Sequence, residues 1–214
     1  MQRFTPTQRN FAYAVAALAG FVDVTGFFQL DGYFVSFMTG NTTLLARDLA
    51  SADSRTLVPV LLIAGFVAGV FLGTLVGDST PARRKPRVAG LVLAGLVLAA
   101  ATRALGMVEA SLALLVLAMG ALNTVMSGNR TNPVGLTYMT GALVRVGQLL
   151  AERLRGERSA NPLPFFLLWA SLAAGALAGA LVVTRFAPLS LWAAAAGAFL
   201  LTIRAARLAA AEAS

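Results

Sequence analysis

Two stretches of this chain, about a hundred residues apart, carry the same polar residues in the same order. The first reads Gly20-Phe21-Val22-Asp23 and continues Phe34-Val35-Ser36-Phe37-Met38-Thr39-Gly40-Asn41. The second reads Gly120-Ala121-Leu122-Asn123 and continues Gly135-Leu136-Thr137-Tyr138-Met139-Thr140-Gly141-Ala142. Each puts a carboxylate or carboxamide, hydroxyls and a glycine inside an otherwise apolar stretch. Such groups suit the binding of an ion or a small polar solute. Repeated, glycine-interrupted hydrophobic segments are the best sequence pointer to a central site in a transporter-like membrane protein. The candidate substrate-binding residues are therefore Asp23, Ser36, Thr39, Gly40 and Asn41 from one copy, with Asn123, Thr137, Thr140 and Gly141 from the other.

Asp23 is the only acidic residue well inside an apolar segment. A charge there costs about 2.5–3.5 kcal/mol on the most lenient insertion scale. It must face the protein interior, and two readings stand: a proton- or cation-linked group, or a hydrogen-bonding group that fixes helix packing. Its counterpart Asn123 has the same shape without the charge. The run Met38-Thr39-Gly40-Asn41-Thr42-Thr43 reads as a break in a helix, because glycine costs about 1 kcal/mol in a helix interior and the polar groups need partners. Half-helix ends at such breaks bind ions and polar solutes. A glycine that only permits close helix crossing is the other reading.

The composition places these residues in a membrane. The chain of 214 residues is 58% hydrophobic and 12% charged, with mean hydropathy +0.77. A soluble domain carries about 25% charged residues. The net charge is +8, but the basic residues sit at the ends of apolar runs, as topology demands, and form no basic face for nucleic acid. No nucleic-acid partner is expected. With no cysteine and no histidine, disulfides, thiolate chemistry and His-based metal or acid–base sites are excluded. No nucleophile elbow, phosphate loop or dinucleotide fingerprint occurs, so the expectation is a non-enzyme with no cofactor and no metal. The first apolar run follows Arg3 and Arg9 like a signal peptide, but it holds Asp23 and is long enough to span, so it reads as a retained helix.

Eight apolar segments can be read, roughly 11–28, 33–50, 57–77, 88–105, 110–127, 133–151, 162–184 and 187–207. If all cross with the N-terminus inside, the cluster Arg83, Arg84, Lys85 and Arg87 lands outside with Arg130 and Arg185. If the two Met-Thr-Gly segments dip in and return, only Arg47, Arg55, Arg103 and Arg185 fall outside. The second arrangement obeys the positive-inside rule better. The expected fold is thus an all-α polytopic membrane protein in one domain, 1–214. It has two inverted repeats of three spanning helices, about 11–106 and 110–207, each with a broken or re-entrant Met-Thr-Gly segment. Both termini are cytoplasmic in a bacterial inner membrane.

Gly65, Gly69, Gly73 and Gly77 recur at four-residue spacing, and Gly175 and Gly179 repeat the pattern. Small residues at this spacing let helix backbones approach closely. Pro81, Pro86, Pro162, Pro164 and Pro188 punctuate segment ends. Phe27, Phe28, Tyr33, Trp169 and Trp192 read as interface or lipid contacts. Arg130, between Asn129 and Asn132, has three readings: a binder of an anionic group, a partner for Asp23, or, the commoner one, an anchor at the membrane surface; Arg145 needs a partner or that surface.

The string Gly20-Phe21-Val22-Asp23 with Ser36-Phe37-Met38-Thr39-Gly40-Asn41-Thr42 resembles the YoaK-like family of bacterial integral membrane proteins, a domain of unknown function. So does Thr137-Tyr138-Met139-Thr140-Gly141 with the Leu143-Val144-Arg145 segment, and the likeness covers nearly the whole chain. The resemblance implies the membrane class and supplies no substrate. From the residues themselves, the expected function is a secondary transporter or channel-like permease for a small solute, its site between the two repeats. The alternative is a non-transporting membrane scaffold or sensor whose polar residues only hold helices together. The partners expected are the lipid bilayer, an unknown small solute and a second copy of the chain in a homo-oligomer.

Overall fold

The computed structural model describes residues 4–77, 81–126, 139–157 and 160–211. Among these there are helices and turns and no strand. The helices are α1 (Pro6–Gln29), α2 (Met38–Ala50), α3 (Leu57–Val76), α4 (Pro81–Ala104), α5 (Val108–Leu122), α6 (Met139–Leu154) and α7 (Leu163–Ala211), with a 3₁₀ turn at Ser54–Thr56. Pro6–Gln29, Ser54–Val76, Arg83–Ala104 and Leu163–Ala211 are long and apolar enough to cross a membrane, and α5 is a shorter apolar helix. The chain is a multi-pass membrane protein.

Local chemistry sets the ends of α1. Thr5 and Gln8 form a reciprocal capping box and Pro6 opens the first turn, where its missing N–H is not needed. The helix stops where Asp31 and Gly32 adopt left-handed backbone, at φ 49° and 102°. Between these ends α1 buries Phe11, Val15, Leu18, Ala19 and Val22. It is the helix around which α7 is arranged, and α5 plays the same part for α3 and α4.

Helix α7 has 49 residues, about 73 Å if straight, against a hydrocarbon core of about 30 Å. It is two arms. Phe186 has non-helical angles (φ −140°, ψ 50°) two residues before Pro188. Gly175 lies against Ala17, and Gly197 lies beside the Leu18 side chain. A straight helix would hold positions 175 and 197 about 33 Å apart, so the second arm folds back along the first.

Glycine decides which backbones meet. Gly20 lies against the Leu172 carbonyl, Gly175 against the Ala17 carbonyl, and Gly179 against Phe21 and Val24. Gly120 lies against the Phe66 carbonyl, Gly69 against the Leu117 carbonyl, and Gly73 against Ala121 and Thr124. The same contact is made twice: positions 17, 20, 21 and 24 of α1 are answered by 117, 120 and 121 of α5 and by 124 just beyond its end. Rising numbers pair with rising numbers in both, so α1 runs parallel to the first arm of α7 and α3 runs parallel to α5. Helix α4 runs against α5: the Ser111 hydroxyl donates to the Ala99 carbonyl (2.8 Å) and Arg84 Nε to the Thr124 carbonyl (3.2 Å).

These contacts leave no room for a methyl group. Gly175→Ala is expected to force α1 and α7 apart and to lower the melting temperature in detergent. Gly90→Ala, at a position open to 4 Å, should hold or raise stability by up to ~1 kcal/mol through helix propensity. Thermal melts of the two variants by fluorescence-detected gel filtration check the contrast.

Candidate functional site

A chain leaving a helix inside an apolar body must still satisfy its backbone, since unpaired N–H and C=O groups cost several kcal/mol each in lipid. After α1, residues 33–37 run without helix and fold back along α1, so that Val35 packs on Gly26. Side chains from two helices meet the freed groups. Asn41 Oδ1 accepts from the Phe34 amide (2.9 Å), and Asn41 Nδ2 donates to the Phe34 carbonyl (2.7 Å). Asp23 Oδ1 accepts from the amides of Val35 (3.0 Å) and Ser36 (2.8 Å). The Ser36 side chain and the Phe37 amide also bond toward this carboxylate. Successive amides turned toward one oxyanion form a nest. Helix α2 has no side-chain cap of its own. Asp23 stands before its N-terminal end, where the helix dipole favours negative charge, and holds the amides that lead into it.

A second anchor holds the far end of the same segment. Tyr33 is 2% exposed and donates to Asp48 Oδ2 at 2.6 Å. Arg47 Nε and Nη2 donate to Asp48 Oδ1 at 2.8 and 2.6 Å. The Asp48 side chain is fully buried while Arg47 is 55% exposed. The Tyr33 hydroxyl, followed by Arg47, holds the Asp48 carboxyl below the ordinary carboxylate range. Burial, with Asp48 alongside, raises the Tyr33 phenol.

Two sequence expectations are corrected here. The helix break does not fall on Met38-Thr39-Gly40-Asn41-Thr42-Thr43, which forms the first turns of α2. It lies upstream, at 30–37. Thr42 and Thr43 are content in a helix because their hydroxyls bond back to the carbonyls of Met38 and Thr39, and Gly40 makes room for the Phe37 and Phe34 rings. Tyr33 is no lipid contact, because Asp48 gives its hydroxyl a buried partner. Sequence reasoning passed over Tyr33 and Asp48 as a pair. The signal was available: Asn41 and Asp48 stand two helical turns apart and so share a face, and they are the two buried residues of α2.

Asp23, Ser36 and Asn41 are thus brought together around one stretch of backbone, while Thr39 is exposed beside it. The second copy is arranged otherwise. Asn123 ends α5, its amide donating to the Met119 carbonyl at 3.0 Å. Met139-Thr140-Gly141 opens α6, with Thr140 exposed, Gly141 half-buried and Ala142 buried where the first copy has Asn41. Arg145 finds Gln148 and Glu152 on its own helix. Thr137, Asn129, Arg130 and Asn132 lie outside the described residues. Helix α2 packs on α3, α6 packs on α7, and α2 and α6 do not touch. Where α1, α4, α5 and the second arm of α7 converge there is a void of about 10 Å³, lined by apolar residues including Phe11, Val15, Val92, Leu122 and Leu201. A water needs about 10–15 Å³ and polar partners, so this void is dry.

Comparison with known proteins places the chain among membrane proteins. The family described as "Protein of unknown function (DUF1275)" matches residues 11–204. The chain is 37% identical over 197 residues to a UPF0700 transmembrane protein of Rhizobium meliloti (strain 1021), covering 90% of this chain and 83% of that protein. No solved structure matches.

Asp23→Ala leaves the Val35 and Ser36 amides unpaired and should cost about 1–3 kcal/mol, read as a lower melting temperature; Asp23→Asn keeps an acceptor and should cost less. The Asp48 pKa is lowered in the folded state, so its contribution is present above the ordinary carboxylate value of about 3.9 and is lost as pH falls through the lowered one. Tyr33→Phe removes the largest cause of that shift. Its acid-dependent loss of melting temperature should be smaller than that of the wild type and complete at a higher pH in an acid titration.

Proposed function

Because the chain belongs to the DUF1275 family and is a multi-pass membrane protein, we propose that it is a small secondary transporter or channel-like permease, and not an enzyme, in the bacterial inner membrane. In this reading residues 11–106 and 110–207 are inverted repeats of three spanning helices, with both termini cytoplasmic. The observation that carries it is the duplicated glycine contact: α1 of one half grips α7 of the other as α5 grips α3. Halves that exchange packing partners in this way are the architecture on which one repeat rocks against the other around a central site.

The helix directions support six crossings. The end of α5 lies beside the first half of α1 at the dry void, so the two run oppositely. Helices α1, α4 and the first arm of α7 then run one way, and α3, α5 and the second arm the other. The connection through 30–37 and α2 starts and finishes on one side of the bilayer, as the basic residues require. Broken backbone at membrane depth is tolerated where it is buried in protein or lines a water-filled cavity. In the conformation described, Asp23, Ser36 and Asn41 are closed on that backbone. A solute enters this site by replacing the Val35 and Ser36 amides at Asp23, which requires a cationic or hydrogen-bond-donating group. In this proposal Asn123, Thr140 and Gly141 of the second copy line the same pathway from the opposite end of the inverted repeat.

The dry central void favours a second reading, a scaffold or sensor whose polar groups only brace the helices.

The absence of cysteine makes topology directly testable. A single cysteine at Ala52 should react with a membrane-impermeant maleimide from the side opposite the C-terminus; labelling from the same side would overturn six crossings in favour of eight. Flux of amines and small polar solutes into proteoliposomes then separates permease from scaffold. Asp23→Asn should reduce coupled flux while the protein still elutes as a folded species, and absence of flux for every solute class would favour the scaffold.

A further inference from the structure

A second opening lies away from the Asp23 cluster, where α1 and α7 begin side by side. It is a groove of about 260 Å³ lined by Pro6, Arg9, Asn10, Tyr13, Asn161, Leu163, Pro164 and Leu167. Tyr13 ties its two walls together by donating to the Pro164 carbonyl at 3.3 Å. Asn161 Oδ1 accepts from the Leu163 amide at 3.0 Å, which turns its amide nitrogen to other partners. Arg9 is half-buried in this groove. Among the described residues its guanidinium has neither a hydrogen bond nor an ion pair. No acidic residue stands in the first turn of α1 or of α7.

Arg9 supplies a full charge, and the parallel starts of α1 and α7 add the positive ends of two helix dipoles on one side of the protein. Asn10 and Asn161 supply neutral donors. The floor is apolar, from Pro6, Leu163 and Leu167. An arginine fork without a carboxylate partner matches the planar spacing of oxyanion oxygens, and an apolar floor running on toward the membrane suits an attached hydrocarbon chain. The corresponding position of α5 is Glu109. The opposite end of the molecule therefore reverses the charge, and the preference is confined to one side.

The geometry points to an oxyanion-binding groove here, centred on Arg9, that takes a phosphate group, presented either by an acidic phospholipid headgroup or by a free phosphate. It stands apart from the transport reading, because it uses none of the Asp23 cluster and holds for a scaffold as well as for a permease.

The test uses the full chain in a neutral detergent, with melting temperature followed as phosphatidylglycerol, phosphatidylcholine or inorganic phosphate is added. Phosphatidylglycerol should raise the melting temperature and phosphatidylcholine should not. Arg9→Gln, which removes no side-chain hydrogen bond or ion pair among the described residues, should melt like the wild type without lipid. It should need about tenfold more phosphatidylglycerol for the same rise, the loss of one charge-assisted hydrogen bond. Arg55→Gln, on a different end of the chain's helices, should respond like the wild type. An Arg9-dependent rise with inorganic phosphate alone assigns the groove to a free oxyanion. No rise with either ligand, or an equal rise in Arg9→Gln, overturns the groove as an oxyanion site.

Discussion

Backbone that leaves its helix inside an apolar body has no water to bond to, and this structure is organised around one such stretch. Residues 33–37 expose amides and a carbonyl that the bilayer cannot satisfy. Asp23 and Asn41 meet them from two different helices, and Tyr33 is locked to Asp48 at the other end. The cost of burying a carboxylate is offset by several amide donors and the start of α2. Removing any one of these side chains leaves the backbone groups it meets without that partner.

The second organising element is steric. Six glycines lie against carbonyls or backbone of a facing helix at distances that admit no Cβ. Between helices in lipid there is little hydrophobic drive to associate, and packing at close range takes its place. That explains why the small residues fall at the crossings of α1 with α7 and of α3 with α5, while large apolar side chains such as Leu61, Phe71, Leu75, Leu177 and Leu200 are exposed on the outside. A soluble protein would bury those; a membrane protein presents them to lipid.

The two anchors and the glycine seams also explain why the halves differ chemically. Positions that carry charge or amide in the first half, Asp23, Asn41 and Asp48, correspond to Asn123, Ala142 and Leu149 in the second. Both α2 and α6 bury the same face, Asn41 and Asp48 in one and Ala142 and Leu149 in the other. The polar content is concentrated in the first of the two matching sequence segments.

The sequence by itself determined the membrane class, the helical composition and the polar residues of interest. Hydropathy and charge depend only on local composition, and the Gly20/Gly120 and Met38/Met139 echoes lie in plain view. It also marked Asp23 as an interior group, because a carboxylate in an apolar run has nowhere else to go. What it could not fix was which atoms answer which. The break lies at 30–37 and not at Thr39-Gly40, since threonine hydroxyls can satisfy themselves within a helix and so do not force one open. Tyr33 is buried because Asp48 is there to receive its hydroxyl, a pairing across a turn that hydropathy does not encode. The fold-back at Phe186 and the exchange of partners between α1–α7 and α3–α5 are properties of distant surfaces meeting. Only tertiary structure decides them, because close approach depends on the shapes of both helices at once.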